Sequence, residues 1–501
     1  MTLLRLKTPV GRWVIVATVL GSGMAAIDAT VVGIALPTIG REFHAPLGTL
    51  QWVVTGYTLS LASLLLLGGS LGDHYGRRRV FCVGVVWFSV ASAACAVAPG
   101  TSFLIFTRVF QGIGAALLTP GSLAIIESSF DPDDRGRAIG SWSGLGGVAT
   151  AAGPLLGGYL IAVASWRWIF LINVPVGAAV LLLSVRHVPE SRDLNAKGGV
   201  DVLGAALAMA SLAGITFGLI EGPLRGWTSS VVIVMLVVGI TCLAAFVFVE
   251  KSSATPMLPP AVFRVRQFTI ANIVTFIVYG ALGGTLFLLP IELQVVDGYS
   301  PLESGVALLP LTVIMLLLSA RSGRLATRIG PRLQMGVGPV VVGAGLALLA
   351  RTTTSSSYAK AVLPAVLVFG LGLAITVAPL TTTALGSVTD EHSGLASAVN
   401  NCVARLGGLI AVAVLPTLAG LSETSYRHPA EFSIGFRSAV WISAFLCALG
   451  GIIATVWIRN PAGATTGTPS SSVAGAELLH CALDAAPLVS DASLQGSSEA
   501  T

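Results

Sequence analysis

"LGDHYGRRRV", residues 71–80, puts an aspartate, a histidine and three consecutive arginines into ten residues of a chain that is only 10% charged. Apolar runs of about twenty residues flank it, each long enough to cross a hydrocarbon core about 30 Å thick. The whole chain has 501 residues, 54% of them hydrophobic and 58 of them Gly, and its mean hydropathy is +0.86. Soluble domains carry about a quarter charged residues. Long unbroken runs mean helices, because barrel strands would alternate over segments of about ten. The decapeptide is therefore a short charged loop between two spans of an all-α polytopic membrane protein.

Fourteen such runs follow one another, from 13–37 to 437–458. Their spacing predicts six spans in 1–198, an additional pair near 200–220 and 230–249 within 199–250, and six more in 251–460. Residues 461–501 are rich in Ser, Ala, Thr and Gly and read as a disordered tail. Charge sets the orientation. With the N-terminus inside, 19 of the 28 Lys and Arg fall in inner segments and 7 in outer ones, leaving Arg108 and Arg405 within spans. Both termini are thus expected in the cytoplasm. The same rule explains the net charge of +5 without a nucleic-acid partner.

The N-terminal Arg5, Lys7 and Arg12 before an apolar run superficially suggest a signal peptide. That run is too long, contains Asp28 and lacks an A-x-A site, so it reads as a retained first span. Cys82, Cys95, Cys242, Cys402 and Cys447 lie in apolar runs and Cys481 in the tail, which reads as free thiols rather than a disulfide framework. The six histidines show no metal-ligand spacing, and no phosphate-binding G-x-x-x-x-G-K-[ST] occurs. Metal and cofactor are expected to be absent, with a proton gradient as the energy source.

An internal repeat joins "GSLGDHYGRR" (69–78) to "GRLATRIGPR" (323–332), which share Gly, Leu, Gly and Arg at the same offsets. Repeated halves of this kind build transporters, with the substrate near the midplane between them. Gly69 and Gly76 permit close helix approach and a tight turn. Asp73 can pair with an arginine, and Arg77, Arg78 and Arg79 can lie against anionic headgroups.

These residues resemble the loop signature G-x-L-a-D-r-x-G-r-[kr] between spans 2 and 3 of the major facilitator superfamily. The resemblance extends over almost the whole chain. "AIDATVVGIALP" (26–37) is similar to the first-span signature of the fourteen-span drug:proton antiporters, with Gly33 in place of the usual Asn. "RVFQGIGAA" (108–116), "GPLLGG" (153–158) and "WRWIFLINVPVG" (166–177) resemble its fourth-, fifth- and sixth-span motifs. "SPLESGVALLP" (300–310) and "SGLASAVNNCVARLGG" (393–408) resemble segments of its second half. What the resemblance implies is a major facilitator fold of two six-helix bundles with two extra helices between them. The loop residues Gly69, Asp73, Gly76, Arg77 and Arg78 would form a conformational latch, with His74 replacing a common Arg. Gly153, Pro154, Gly157 and Gly158 would form a helix-packing motif.

Charges within spans cost about 2.5–3.5 kcal/mol each on insertion scales, so each needs a reason. Asp28 lies roughly 13 Å from the outer end of span 1 and Arg108 roughly 11 Å from the outer end of span 4, at 1.5 Å per residue. Similar depth permits an ion pair, with Gln111 one turn further in. Asp28 and Arg108 are the candidates for proton coupling; the bland alternative is a static pair that only joins two helices. Arg405 lies near the middle of span 13 beside Asn400 and Asn401. It either binds an anionic part of a ligand or pairs with backbone carbonyls. Gln111, Trp142, Asn400, Asn401 and Arg405 are the substrate-cavity candidates, with Trp87 and Phe106 as further aromatic ones. Glu127, Glu221 and Glu292 sit at span ends, where an interfacial position is the default. No carboxylate lies within spans 10 to 14. Since some relatives that export dications use a second acid there, monocationic, zwitterionic or neutral amphiphiles are the expected cargo.

The function implied is proton-coupled export of amphipathic drugs, antibiotics or hydrophobic metabolites by alternating access. The expected partners are that small molecule, protons and the lipid bilayer, and the expected state is a monomer. The Ala-, Val-, Gly- and Arg-rich composition with few lysines fits a GC-rich bacterial genome, and hence a cytoplasmic-membrane location. An importer, facilitator or dedicated metabolite carrier is the alternative within transport. A lipid-modifying membrane enzyme would need a catalytic constellation that the chain lacks, and an ion channel would need a filter-like segment.

Overall fold

The computed structural model describes residues 3–193, 199–253, 256–352, 357–388, 393–423 and 425–460. The expected tail at 461–501 lies outside the described residues. Among the described residues, fourteen helices are long and apolar enough to cross a membrane. We number them α1 (Pro9–Phe43), α2 (Leu47–Tyr75), α3 (Arg77–Ala96), α4 (Thr101–Ser129), α5 (Pro132–Val163), α6 (Trp168–His187) and α7 (Val202–Arg225). The others are α8 (Ser230–Ser252), α9 (Arg266–Val296), α10 (Pro301–Ile329), α11 (Pro331–Leu349), α12 (Val362–Leu385), α13 (Gly394–Leu418) and α14 (Pro429–Trp457).

Local chemistry starts several of these helices. Thr8 accepts from Gly11 N at 3.1 Å to cap α1, and Asp201 accepts from Gly204 N at 2.7 Å to cap α7. Ser300 and Glu303 form a reciprocal capping box at the start of α10. Within the spans, hydroxyls such as those of Thr18 and Thr55 donate back to carbonyls one turn earlier, so polar side chains are satisfied inside their own helix.

The helices pack as two similar sets. In the first, α4 lies against α2 and α3, and α1 against α5. The second set repeats this arrangement: α12 lies against α10 and α11, and α9 against α13. Between them, α7 and α8 pack on each other, and α7 also touches α2 and α13. Burial separates the inner helices from the peripheral ones. The most apolar window of α9 is 72% buried, that of α8 only 11%, so α8 presents its apolar surface outward, as a lipid-facing helix does.

The loop repeat of the sequence is also a structural repeat. Gly76, with φ of +108°, turns α2 into α3, and its bare Cα leaves room for the Glu190 carboxylate just beyond α6. Gly330, with φ of +82°, turns α10 into α11 and leaves room in the same way for Asn460, just beyond α14. Glu190 accepts from Arg78 N at 3.1 Å, and Asn460 accepts from Arg332 N at 3.1 Å. One half uses a carboxylate where the other uses an amide.

Contacts between the two sets concentrate on the face opposite the N-terminus, called here the far face. Gln51 Nε2 donates to Val412 O at 2.6 Å, Gln294 Nε2 to Ile34 O at 3.0 Å, and Tyr426 OH to Pro37 O at 3.2 Å. Gly158 packs on the backbone of Pro301 and Leu302, and Gly305 on the Pro154 carbonyl. A side chain at either glycine would collide, so the sets meet backbone to backbone here. The far face is the sealed one.

Candidate functional site

Five helices bring their polar residues to one buried point in the first set. Asp28 on α1 forms an ion pair with Arg108 on α4, and each side chain is only 1% exposed. Gln111, one turn along α4, donates to Asp28 Oδ1 at 2.8 Å and accepts from Arg108 Nη1 at 2.5 Å. Its amide also donates to Ser92 Oγ of α3 at 2.7 Å, and Asn173 of α6 donates to the same oxygen at 3.3 Å. Arg108 Nε donates to the Val53 carbonyl of α2 at 3.1 Å. Its guanidinium lies over the Tyr57 ring, 4.3 Å from the centroid. Buried charges persist when paired and hydrogen-bonded, and this pair has both kinds of partner.

Beside this network lies a cavity of about 160 Å³ between the two sets. Its wall includes Thr30, Tyr57 and Thr58 from the first set and Tyr279, Leu311 and Arg405 from the second. Asp28 is not in that wall. Tyr57 is the link, lining the cavity with the same ring that covers Arg108.

The remaining candidates separate by position. Of the five cavity candidates, Arg405 alone is in the wall. Gln111 belongs to the Asp28 network. Trp142 is buried and donates to Ser22 Oγ at 3.0 Å. Asn400 bridges α13 to α9 through Asn272 and Thr275, while Asn401 donates to Ser397 O in its own helix. Trp87 and Phe106 are 39% and 57% exposed on the outer surface.

At the loop, Asp73 pairs with Arg77 at 2.8 Å. The Asp73 and Arg77 backbones bond to Asp193 and Ser191, respectively, so the loop is tied to the segment after α6. In the fifth-span motif, Gly153 and Gly157 pack on α1, while Gly158 and the Pro154 carbonyl face α10.

Three residues escaped the sequence analysis. Ser92 and Asn173 complete the buried network, and Glu190 is the carboxylate around which Arg78 and Arg79 gather, each at 3.6 Å. Glu190 had a visible signal, an acid three residues beyond a span in the vicinity of the arginine loop. Glu292 departs from its expected interfacial position: it is fully buried and accepts from Ser433 Oγ of α14 at 2.9 Å. The end of α9 is a π-helical turn, Glu292–Val296, which shifts the helical phase and directs this side chain inward.

Two repeated helix sets around a central cavity, with a buried ion pair beside it, define a secondary transporter rather than an enzyme. Residues 18–412 match the Major Facilitator Superfamily, and the chain belongs to that family. It is 36% identical over 417 residues to the multidrug resistance protein Stp of Mycobacterium tuberculosis, covering 83% of this chain and 77% of that one. It is 35% identical over 404 residues to the tetracenomycin C resistance and export protein of Streptomyces glaucescens, covering 81% and 75%. A crystal structure of a bacterial homolog of the human lysosomal transporter Spinster, described as inward-facing and unoccupied, shares the fold. Its TM-score is 0.64 at 16% identity, over 90% of this chain and 98% of that one.

Proposed function

We propose that this transporter exports amphipathic drugs, antibiotics or related hydrophobic metabolites across the bacterial cytoplasmic membrane in exchange for protons. The observation that carries the reading is the Asp28–Arg108–Gln111 network, buried yet one aromatic ring from the cavity. In the arrangement seen here the Asp28 carboxylate is ion-paired with the Arg108 guanidinium. Drawn away from it into apolar surroundings, a carboxylate takes up a proton. A motion that separates the two residues as the sealed face opens ties proton binding to the direction of access. The resistance and export activities named for the two relatives support the outward direction. The positive-inside count puts both termini in the cytoplasm, so the sealed far face is the outer one.

The test is drug susceptibility of an efflux-deficient bacterial host expressing the native chain or Asp28→Asn at equal membrane levels, with and without an uncoupler. Native protection that disappears in the variant and on uncoupling supports proton-driven export through Asp28. Protection that survives in Asp28→Asn makes the pair a static helix tie. No protection against any compound turns the reading to a dedicated metabolite carrier.

A further inference from the structure

Among the described residues, the cavity wall holds one charged side chain, and it is a cation. Arg405 is 7% exposed, its Nε is buried without a hydrogen-bond partner, and no ion pair among the described residues involves it. The cavity's other polar side chains carry hydroxyls, including those of Thr30, Thr55, Thr58 and Thr312. No Asp or Glu among the described residues lines the cavity. The Asp28 carboxylate does not line the cavity and is already paired with Arg108.

An arginine stays protonated in proteins, so Arg405 cannot shed its charge to relieve burial. A guanidinium in such surroundings lacks a counter-charge, and its planar fork fits a carboxylate-like pair of oxygens. The rest of the wall, with Leu286, Phe287, Leu308 and Leu311, fits an apolar body. We infer that the cavity is an anion-selective subsite: Arg405 receives an acidic oxygen, such as a carboxylate or phenolate, on an otherwise apolar ligand. This deepens the proposed function and rests on it for the ligand's being cargo. It also shifts the expected cargo from monocationic, zwitterionic or neutral amphiphiles toward anionic and zwitterionic ones. The same oxygen chemistry occurs on a diffusible substrate and on the headgroup of an acidic lipid.

Two environment-sensitive probes with a common apolar body test this, dansylglycine with a carboxylate and neutral dansylamide. Their fluorescence would be titrated on the full chain in phosphatidylcholine nanodiscs. The native protein is expected to bind dansylglycine at least about ten-fold more tightly than dansylamide, as a charge-assisted bond warrants. Arg405→Gln should abolish that preference while retaining dansylamide binding, which reports an intact cavity. Arg405→Lys should keep part of the preference, and decides the matter if the glutamine variant binds neither probe. Equal native affinities, or an undiminished preference in Arg405→Gln, overturns the inference. Replacing half the lipid with phosphatidylglycerol separates the two sources. Competition with dansylglycine that requires Arg405 places a lipid headgroup there and overturns the cargo assignment; unchanged affinity supports a diffusible ligand. Binding in discs needs no proton gradient, so its failure leaves the Asp28-dependent export reading standing, and failure of that reading leaves the subsite standing.

Discussion

Arg108 and Arg405 are both buried within spans, yet the protein treats them in opposite ways. Arg108 has a carboxylate, an amide, a backbone carbonyl and an aromatic face as partners. Arg405 has an unsatisfied Nε and a cavity. The difference teaches that burial of a charge is not one kind of evidence. A satisfied charge belongs to the protein's own structure and switching, whereas an unsatisfied one at a cavity wall belongs to what enters the cavity.

The largest effect expected from this contrast is on stability. Arg108→Gln leaves the Asp28 charge buried and uncompensated, a loss of about 3–5 kcal/mol. Arg405→Gln removes a charge with nothing to lose, so its effect should stay within about 1 kcal/mol and tend toward gain. Thermal unfolding in detergent, followed for both variants and the native chain, measures the difference. Equal losses would show that Arg405 has structural partners after all, and would dissolve the comparison.

A subsite reached from alternating sides also requires the sealed face to open. A Cβ at Gly305 would sit 2.3 Å from the Pro154 carbonyl oxygen. Gly305→Ala should therefore cost the sealed arrangement about 1–3 kcal/mol through overpacking, while sparing conformers in which α5 and α10 separate. With a cysteine at Thr312 in the cavity wall, labelling by an impermeant maleimide from the far face should speed up several-fold. An unchanged rate would mean that α5 and α10 do not form the gate.

The acids offer a smaller version of the same contrast. Asp28 is paired, but Asp297, in the loop between α9 and α10, has a buried Oδ1 with no partner, and burial pushes its carboxyl up to about 6 from an ordinary 3.8. Because the folded value is raised, ionisation costs the folded state as pH rises from 3.8 through that window, and the cost vanishes only well below 3.8, where both states are protonated. Asp297→Asn should gain about 1 kcal/mol at pH 8 and only a small fraction of that at pH 4, once solvent screening is allowed for. Unfolding temperatures at the two pH values would show it; an equal gain at both would remove the charge from the explanation.

Much of this architecture was legible because membrane burial makes its demands on sequence conspicuous. Twenty apolar residues announce a span, and a charge inside one demands a partner, so similar depth permitted an Asp28–Arg108 pair, and the packed helices supply the contact. Ser92 and Asn173 were invisible to that logic, since uncharged polar residues are ordinary in helices and raise no demand. Trp142, Asn400 and Asn401 show a second limit. A helix apolar on most sides does not reveal its rotation, so which of its residues meets a cavity was open until the helices were packed. Glu292 was misplaced for a third reason: a π turn moves the face on which a side chain emerges, and nothing in "PIELQVVDG" marks that turn.

The two turn loops carry the comparison of halves to its mildest test. Glu190 and Asn460 occupy matching places against Gly76 and Gly330, and each accepts a backbone N–H from the following helix. Only Glu190 adds ion pairs, to Arg78 and Arg79 at 3.6 Å, and Arg79 is 77% exposed. Glu190→Gln converts the first loop to the chemistry of the second: the backbone bond persists and the ion pairs go. Exposed pairs of this length contribute at most about 1 kcal/mol and are screened by salt. The variant should thus lower the unfolding temperature slightly at low ionic strength and match the native chain at high salt. Glu190→Ala should lose more and remain salt-insensitive in the added part, because it also orphans the Arg78 N–H. If Glu190→Gln instead cripples export while leaving stability untouched, the carboxylate serves the transport cycle, and the asymmetry between the loops separates a latch from a hinge.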